Sequence, residues 1–173
     1  MIYLVRHGET DWNLFKRCNG ITDTYLNRTG IKQANLQAEK LGGVSFDACY
    51  CSPQTRAREF CKIINKGTIS FDDRLAEINC GAFEGMEETA EMMKSFWNAI
   101  KTGDRGTESF AAFVKRNCDL CDKIVTEHRA QNVLIVTHAA NTRVIDHYFR
   151  GKPNSYDFRK SVVNMGGYVT YEN

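Results

Sequence analysis

The chain contains no block of like charge. Its 23 Lys and Arg stand against 21 Asp and Glu, leaving a formal charge of +2 over 173 residues. That even scatter argues against a nucleic-acid or membrane-surface partner. Long hydrophobic runs are also missing: the longest, such as Val133 to Val136, fall far short of the roughly 20 residues that a bilayer-spanning helix needs. No stretch reads as a signal peptide, because the first apolar run starts at Met1, so the cytoplasm is the expected location. Repeats, low-complexity tracts and linkers are absent. With 42% apolar and 25% charged residues, the composition is that of an ordinary globular protein, and one domain over residues 1–173 is expected, large enough to bury a real core.

Cysteine is not scarce, but its pattern excludes two roles. Seven cysteines are an odd number in a chain that needs no disulfide staples. Cys49-x-Cys51 falls in a predicted strand, with both side chains on one face, and Cys118-x-x-Cys121 in a predicted helix. Neither has a second pair at zinc-ribbon spacing, and His128 and His147 follow no ligand pattern. No metal and no cofactor are expected, and the thiols read as buried and free.

What is present begins with IYLVRHGETDWN, residues 2 to 13. Ile2 to Val5 form a short apolar, partly β-branched run that reads as a buried strand and breaks at once into Arg6, His7, Gly8, Glu9 and Thr10. In open α/β sheets, ligands sit beyond the carboxyl ends of parallel strands, which is where Arg6 and His7 fall. Arginine supplies a planar fork of donors for phosphate or carboxylate, histidine a nucleophilic or proton-transferring nitrogen, and Gly8 permits close approach of the backbone. Together they suggest phosphoryl chemistry.

The rest of the chain alternates strand and helix. Trp12 to Gly20 reads as a polar loop. Thr29 can cap a helix with Ile31, Ala34, Ala38 and Leu41 as its apolar stripe, ended by Gly42-Gly43. A strand over Ala48–Cys51 passes into Ser52-Pro53, a cap followed by proline at the first helical position, and a helix to about Asn65. Arg56 then lies in that helix's first turn, where free N–H groups and the dipole already favour anions; Arg58 is the candidate for a merely solvated arginine. Thr68 to Phe71 is a short strand, and residues 72–85 form a carboxylate-rich loop. Residues 87–102 are helical, with Met93, Phe96, Trp97 and Ile100 on one face, as core or as the lining of a cap at about residues 86–108. A further helix spans 109–128 with Phe110, Val114, Cys121, Ile124 and Val125 inward. The clearest buried strand, residues 132–137, delivers His138, and a helix over 141–149 follows. Residues 161–172 look like a hairpin around Gly166-Gly167. The expected fold is α/β: a three-layer sandwich with a mostly parallel mixed sheet flanked by helices.

LVRHGET with Asn13, SPQTRA with Arg56, LAEINCGAFEG with Glu77, and VTHAANTR with His138, together with G-x-x-D-x-x-L at Gly20, Asp23 and Leu26, resemble the histidine phosphatase superfamily in its phosphoglycerate mutase-like branch. The resemblance implies that His7 is the nucleophile, forming a phosphohistidine. It implies that Arg6, Arg56 and His138 surround the phosphoryl oxygens, with Asn13 as a further donor, and that Glu77 protonates the leaving oxygen, Glu9 being the second choice. Gly8, Asn13, Asn19, Gly20 and Ala139 fall at substrate-binding positions. Ala139 departs from the family's usual glycine; its N–H survives, but the methyl groups of Ala139 and Ala140 narrow the approach.

The implied activity is metal-independent hydrolysis of small phosphorylated metabolites, with oligomeric state open. Two alternatives stand beside it: a non-catalytic phospholigand-binding protein of the same fold, and a cofactor-dependent phosphoglycerate mutase. The mutases of this branch carry a lysine shortly after the glycine matching Gly85 and an arginine pair in the cap. This chain has Met86, Glu87 and Glu88, then Phe96, Trp97 and Asn98, and is shorter, leaving little for a closing lid.

Overall fold

A computed structural model describes residues 1–151 and 163–172. Five strands form one sheet in the order β3-β2-β4-β1-β5: β1 (Ile2–Arg6), β2 (Ala48–Cys51), β3 (Ser70–Phe71), β4 (Val133–Thr137) and β5 (Tyr168–Tyr171). β1, β4, β2 and β3 run parallel, and β5 pairs antiparallel with β1 at the edge. The α-helices are α1 (Asp11–Leu14), α2 (Arg28–Leu41), α3 (Thr55–Ile64), α4 (Ala90–Ala99), α5 (Phe110–Glu127) and α6 (Ala139–Phe149). The mixed, mostly parallel sandwich read from the sequence is the fold observed.

The alternation of side chains along the strands builds the three layers. Leu134 and Val136 of β4 join Val5, Cys49 and Cys51 against Ala34 and Leu41 of α2 and Ala57, Phe60 and Cys61 of α3. Val133 and Ile135 face the other way, with Ile2, Leu4 and Tyr50, onto Leu120, Cys121 and Ile124 of α5 and Ile145 of α6. A strand covered on both faces must be apolar throughout, and all five residues of β4 but Thr137 are. A third cluster, centred on Phe83, Met92, Phe96, Ile100 and Phe113, packs α4 above the carboxyl ends of the strands.

Several boundaries differ from the sequence reading, for local reasons. Residues 11–14 are a helical turn, not loop: Thr10 caps it by accepting from Asn13 N, and Asn13 returns its side-chain oxygen to Thr10 N. One turn is too short to show periodicity. α2 is capped by Asn27, not Thr29, and its buried face runs through Gly30, Ala34, Gln37 and Leu41, leaving Ile31 45% exposed. α3 starts at Thr55 after Gln54, not at Pro53: the Ser52 hydroxyl is shared between Gln54 N and His138, and Asp23 accepts the Thr55 N–H from another loop. On α5 the deeply buried residues are Phe113, Asn117, Leu120, Cys121 and Ile124; Phe110, Val114 and Val125 are half-buried. The loop over 72–85 contains two 3₁₀ turns, Asp73–Leu75 and Gly81–Phe83. α6 begins directly after His138, two residues earlier than read. The expected hairpin lies partly outside the described residues; Val163 and Asn164 belong to no strand, and β5 takes β1 as its partner.

Candidate active site

Sheet register brings the two histidines together. Arg6 of β1 pairs with Thr137 of β4 in parallel, so the next residues, His7 and His138, leave adjacent strands side by side. Their rings are 5.0 Å apart at 64°. Cys51 of the neighbouring β2 pairs with Val136, and Ser52 follows it. The Ser52 hydroxyl lies 2.7 Å from His138 Nε2 and accepts from Gln54 N; with the hydroxyl donating its own proton to Nε2, the ring hydrogen of His138 sits on Nδ1.

The tautomer of His7 is set by its neighbour. Its Nδ1 is 2.6 Å from the Gly8 carbonyl; a carbonyl only accepts, so Nδ1 donates and Nε2 keeps its lone pair. Burial, reinforced by Arg56 and Arg6, holds His7 well below the usual imidazole range. Burial and Arg56 do the same to His138. Both rings are neutral at physiological pH, the state a nucleophile requires.

Arg56 is completely buried. Its guanidinium donates to the carbonyls of Thr22 and Gly20 at 3.0 and 2.7 Å, which fixes the side chain while Nε has no partner. Arg6 donates to the Val163 carbonyl, and its Nε is likewise unpartnered. His138 Nδ1 is a third buried donor without a partner. Orphaned buried donors are costly, at about 1–3 kcal/mol each. Three around one histidine, two of them cationic, form an environment suited to an oxyanion.

Glu77 is buried beside them. Its carboxylate accepts from Ile78 N at 2.9 Å and Ala140 N at 3.3 Å. Burial nevertheless raises its pKa above the ordinary carboxyl value, against those hydrogen bonds and the pull of Arg56. A buried carboxyl poised to hold a proton is suited to general acid work.

A cavity of about 250 Å³ opens over this group, lined by Arg6, His7, Asn13, Asn19, Glu77 and Ala139 among others, with Cys18, Cys80 and the α4 side chains as its wall. Met93, Phe96, Trp97 and Ile100 all face it, so the stripe lines the cavity as well as packing. Cys80 is held protonated by its contact with Cys18 and by burial. All seven cysteines are free, and among the described residues no group of three or more His, Cys, Asp or Glu could hold a metal ion.

Two expected binding residues sit behind the cavity rather than in it. A Cβ on Gly8 would fall 2.7 Å from the Gly30 carbonyl, so Gly8 permits close approach of α2. Gly20 has no room for one either, at 2.2 Å from the Glu84 carboxylate, and its carbonyl holds Arg56. Asn13 spends its oxygen on Thr10. Glu9 is turned away, accepting from Asn27, and Arg58 is exposed, lying over the Phe71 ring at the surface.

Sequence reasoning overlooked four supporting residues. Gln54 bridges Glu77 N and the Gly20 carbonyl. Glu84 accepts from the backbone N–H groups of Gly20, Ile21, Thr22 and Cys80. Arg116 reaches from α5 to the Glu77 carbonyl while paired with Glu108. Arg143 of α6 lines the cavity itself; its position one turn beyond Ala139 was the available signal.

A family model described as "Histidine phosphatase superfamily (branch 1)" matches residues 2–169. The chain belongs to this superfamily. Among its relatives, a protein from Arabidopsis thaliana named metal-independent phosphoserine phosphatase is 34% identical over 83% of this chain and 66% of its own length. Phosphoserine phosphatase 1 of Hydrogenobacter thermophilus is 32% identical over 83% and 73%. A probable phosphoglycerate mutase from Yersinia pestis is 38% identical, but over 48% of this chain and 40% of its own. Among solved structures, a putative alpha-ribazole-5′-P phosphatase from Escherichia coli superposes with a TM-score of 0.85, at 25% identity, covering 96% of this chain and 87% of the other. The reading of a histidine phosphatase, a phosphoric monoester hydrolase, agrees with the names of the relatives that match over most of the chain.

Proposed function

We propose that this histidine phosphatase hydrolyses small phosphomonoesters without a metal, through a phosphohistidine on His7. The observation that carries the reading is the pinned, neutral imidazole of His7 among three buried donors that have no partner. In the first step His7 Nε2 attacks phosphorus, the ester P–O bond breaks, and Glu77 gives its proton to the leaving oxygen. Arg6, Arg56 and His138 hold the charge spread over the phosphoryl oxygens, which is most of what this chemistry requires. Water then attacks phosphorus, Glu77 takes a proton back, the P–N bond breaks and His7 is regenerated. Asn13, Asn19 and the Ala139 N–H border the substrate, and the segment at about 86–108 serves as its cap. Phosphoserine, named for two relatives, is a substrate of suitable size for the cavity.

Two measurements test this. With p-nitrophenyl phosphate and EDTA present, turnover is expected; none there or on natural monoesters would favour a phospholigand-binding protein. Acid quenching during turnover should trap an acid-labile, base-stable phosphate that His7→Ala abolishes. If His138→Ala removes the label and His7→Ala keeps it, the roles are reversed.

A further inference from the structure

The cavity holds two charges that the reaction does not use. Among the described residues, its ionisable lining is Arg6, His7, Glu77, Glu88 and Arg143. The first three belong to the phosphoryl group and the leaving oxygen. Arg143 is half-buried and makes no hydrogen bond or ion pair among the described residues. It follows Ala139 by four residues on α6, so the two share a helix face, and it lies about 5–6 Å further along the axis. A cation there is one short carbon chain away from a phosphate at the helix N-terminus. Glu88 stands at the exposed rim, its backbone N–H tied to the Lys16 carbonyl. Both charges act on Arg6, Glu88 favouring its cationic state and Arg143 opposing it, which places them around the same space. The rest of the wall, among the described residues, is largely apolar, with Met93, Phe96, Trp97 and Phe110, and Asn13 and Asn19 add uncharged polar groups.

We infer that the cavity selects monoesters whose non-phosphate end is amphoteric, with a carboxylate received by Arg143 and an ammonium by Glu88. The inference rests on the phosphatase reading and supplies its substrate class: O-phosphorylated hydroxy amino acids. Arginine matches a carboxylate with a planar pair of donors and does so best when partly desolvated. A ligand carrying only a carboxylate meets Glu88 as a like charge; one carrying only an ammonium leaves Arg143 unanswered. Opposite charges on the ligand satisfy both, and mismatched ligands are rejected by whichever group stays unpaired.

The test compares kcat/KM for O-phospho-L-serine, 3-phosphoglycerate, which has a hydroxyl in place of the ammonium, and O-phosphoethanolamine, which lacks the carboxylate. The wild-type protein should prefer phosphoserine over each by about tenfold or more. In Arg143→Gln the ratio of phosphoserine to phosphoethanolamine should fall about tenfold. In Glu88→Gln the ratio of phosphoserine to 3-phosphoglycerate should fall about threefold, as befits an exposed pair. Equal losses on all three esters in Arg143→Gln would assign that residue to the phosphoryl group and overturn the inference, as would a wild-type protein with no preference among them. Turnover of p-nitrophenyl phosphate without such a preference overturns the inference alone, whereas no turnover of any ester overturns the phosphatase reading beneath it.

Discussion

At the scale of single residues, the site sets proton positions by burial and by what each nitrogen or oxygen touches. In the proposed mechanism His7 must be neutral to attack, and its pKa is lowered well below 6.5, so activity should be retained as pH falls until that lowered value is reached. Under the same proposal Glu77 must be protonated to serve as acid, and its pKa is raised above 4.5, so the first step should weaken as pH rises through the raised value. A rate profile for an alkyl phosphate should therefore lose its alkaline limb in Glu77→Gln. The same variant should slow alkyl esters by about 10²–10⁴-fold, the usual worth of a positioned acid, and p-nitrophenyl phosphate much less, because a good leaving group needs little protonation. Equal losses on both would mark Glu77 as structural. The residue types were legible in the sequence: Arg6, His7, Arg56, Glu77 and His138 all meet within one buried site. Their tautomers were not, because these depend on the Gly8 carbonyl and the Ser52 hydroxyl.

Elements position these groups through backbone hydrogen bonds that no motif displays. Gln54, the residue preceding α3, donates to the Gly20 carbonyl at 2.9 Å and accepts from Glu77 N at 2.7 Å. It ties the loop that holds Arg56 to the loop that carries Glu77. Gln54→Ala leaves a buried N–H and a carbonyl with one partner fewer, and should cost about 1–3 kcal/mol of stability. The effect on kcat should exceed that on KM, since Glu77 loses its placement while the phosphate donors remain; urea unfolding and steady-state kinetics measure the two. A variant with normal stability and normal kcat would show that the bridge is dispensable. Asp23 was visible as a motif residue, and its work is to cap α3 from outside. Such capping across loops cannot be read from spacing, and for that reason the predicted start of α3 at Pro53 was two residues early.

For the molecule as a whole, binding of an oxyanion should contribute directly to stability. At about 100 times its dissociation constant, a ligand stabilises by roughly 2.7 kcal/mol, or a Tm rise of about 5–10 °C for a chain of this size. Inorganic phosphate or vanadate should produce such a shift in a melting experiment, reduced in Arg6→Gln; no shift would argue against an anion site. The buried neutral histidines predict a second trend. An unfolded chain protonates His7 and His138 near pH 6.5 while the folded chain resists. The unfolded state then binds more protons, so stability rises with pH through that range and is lost below it. Without anion, Tm should fall between about pH 7.5 and 5.5. Reaction outcome is also a property of the whole: Glu88 lines the cavity in the region where mutases of this branch carry a cation. With 3-phosphoglycerate and a 2,3-bisphosphoglycerate primer, phosphate release should outpace formation of 2-phosphoglycerate; the opposite order would make the protein a mutase.

The sequence by itself determined the alternation of strand and helix, the two apolar strands that end in histidine, and the family to which the chain belongs. Those features are encoded locally, in side-chain periodicity and in short runs of residue types that follow a strand. Tertiary structure alone decided which charges face the cavity. Glu9 and Glu84 are carboxylates near the motifs, yet one turns to Asn27 and the other gathers four backbone N–H groups. Arg143, lying within the last motif but assigned no role there, faces the cavity. The parallel register of β1 with β4 sets His7 beside His138 across 131 residues of chain. A pairing at that separation follows from the packing of both sheet faces and leaves no trace in local pattern.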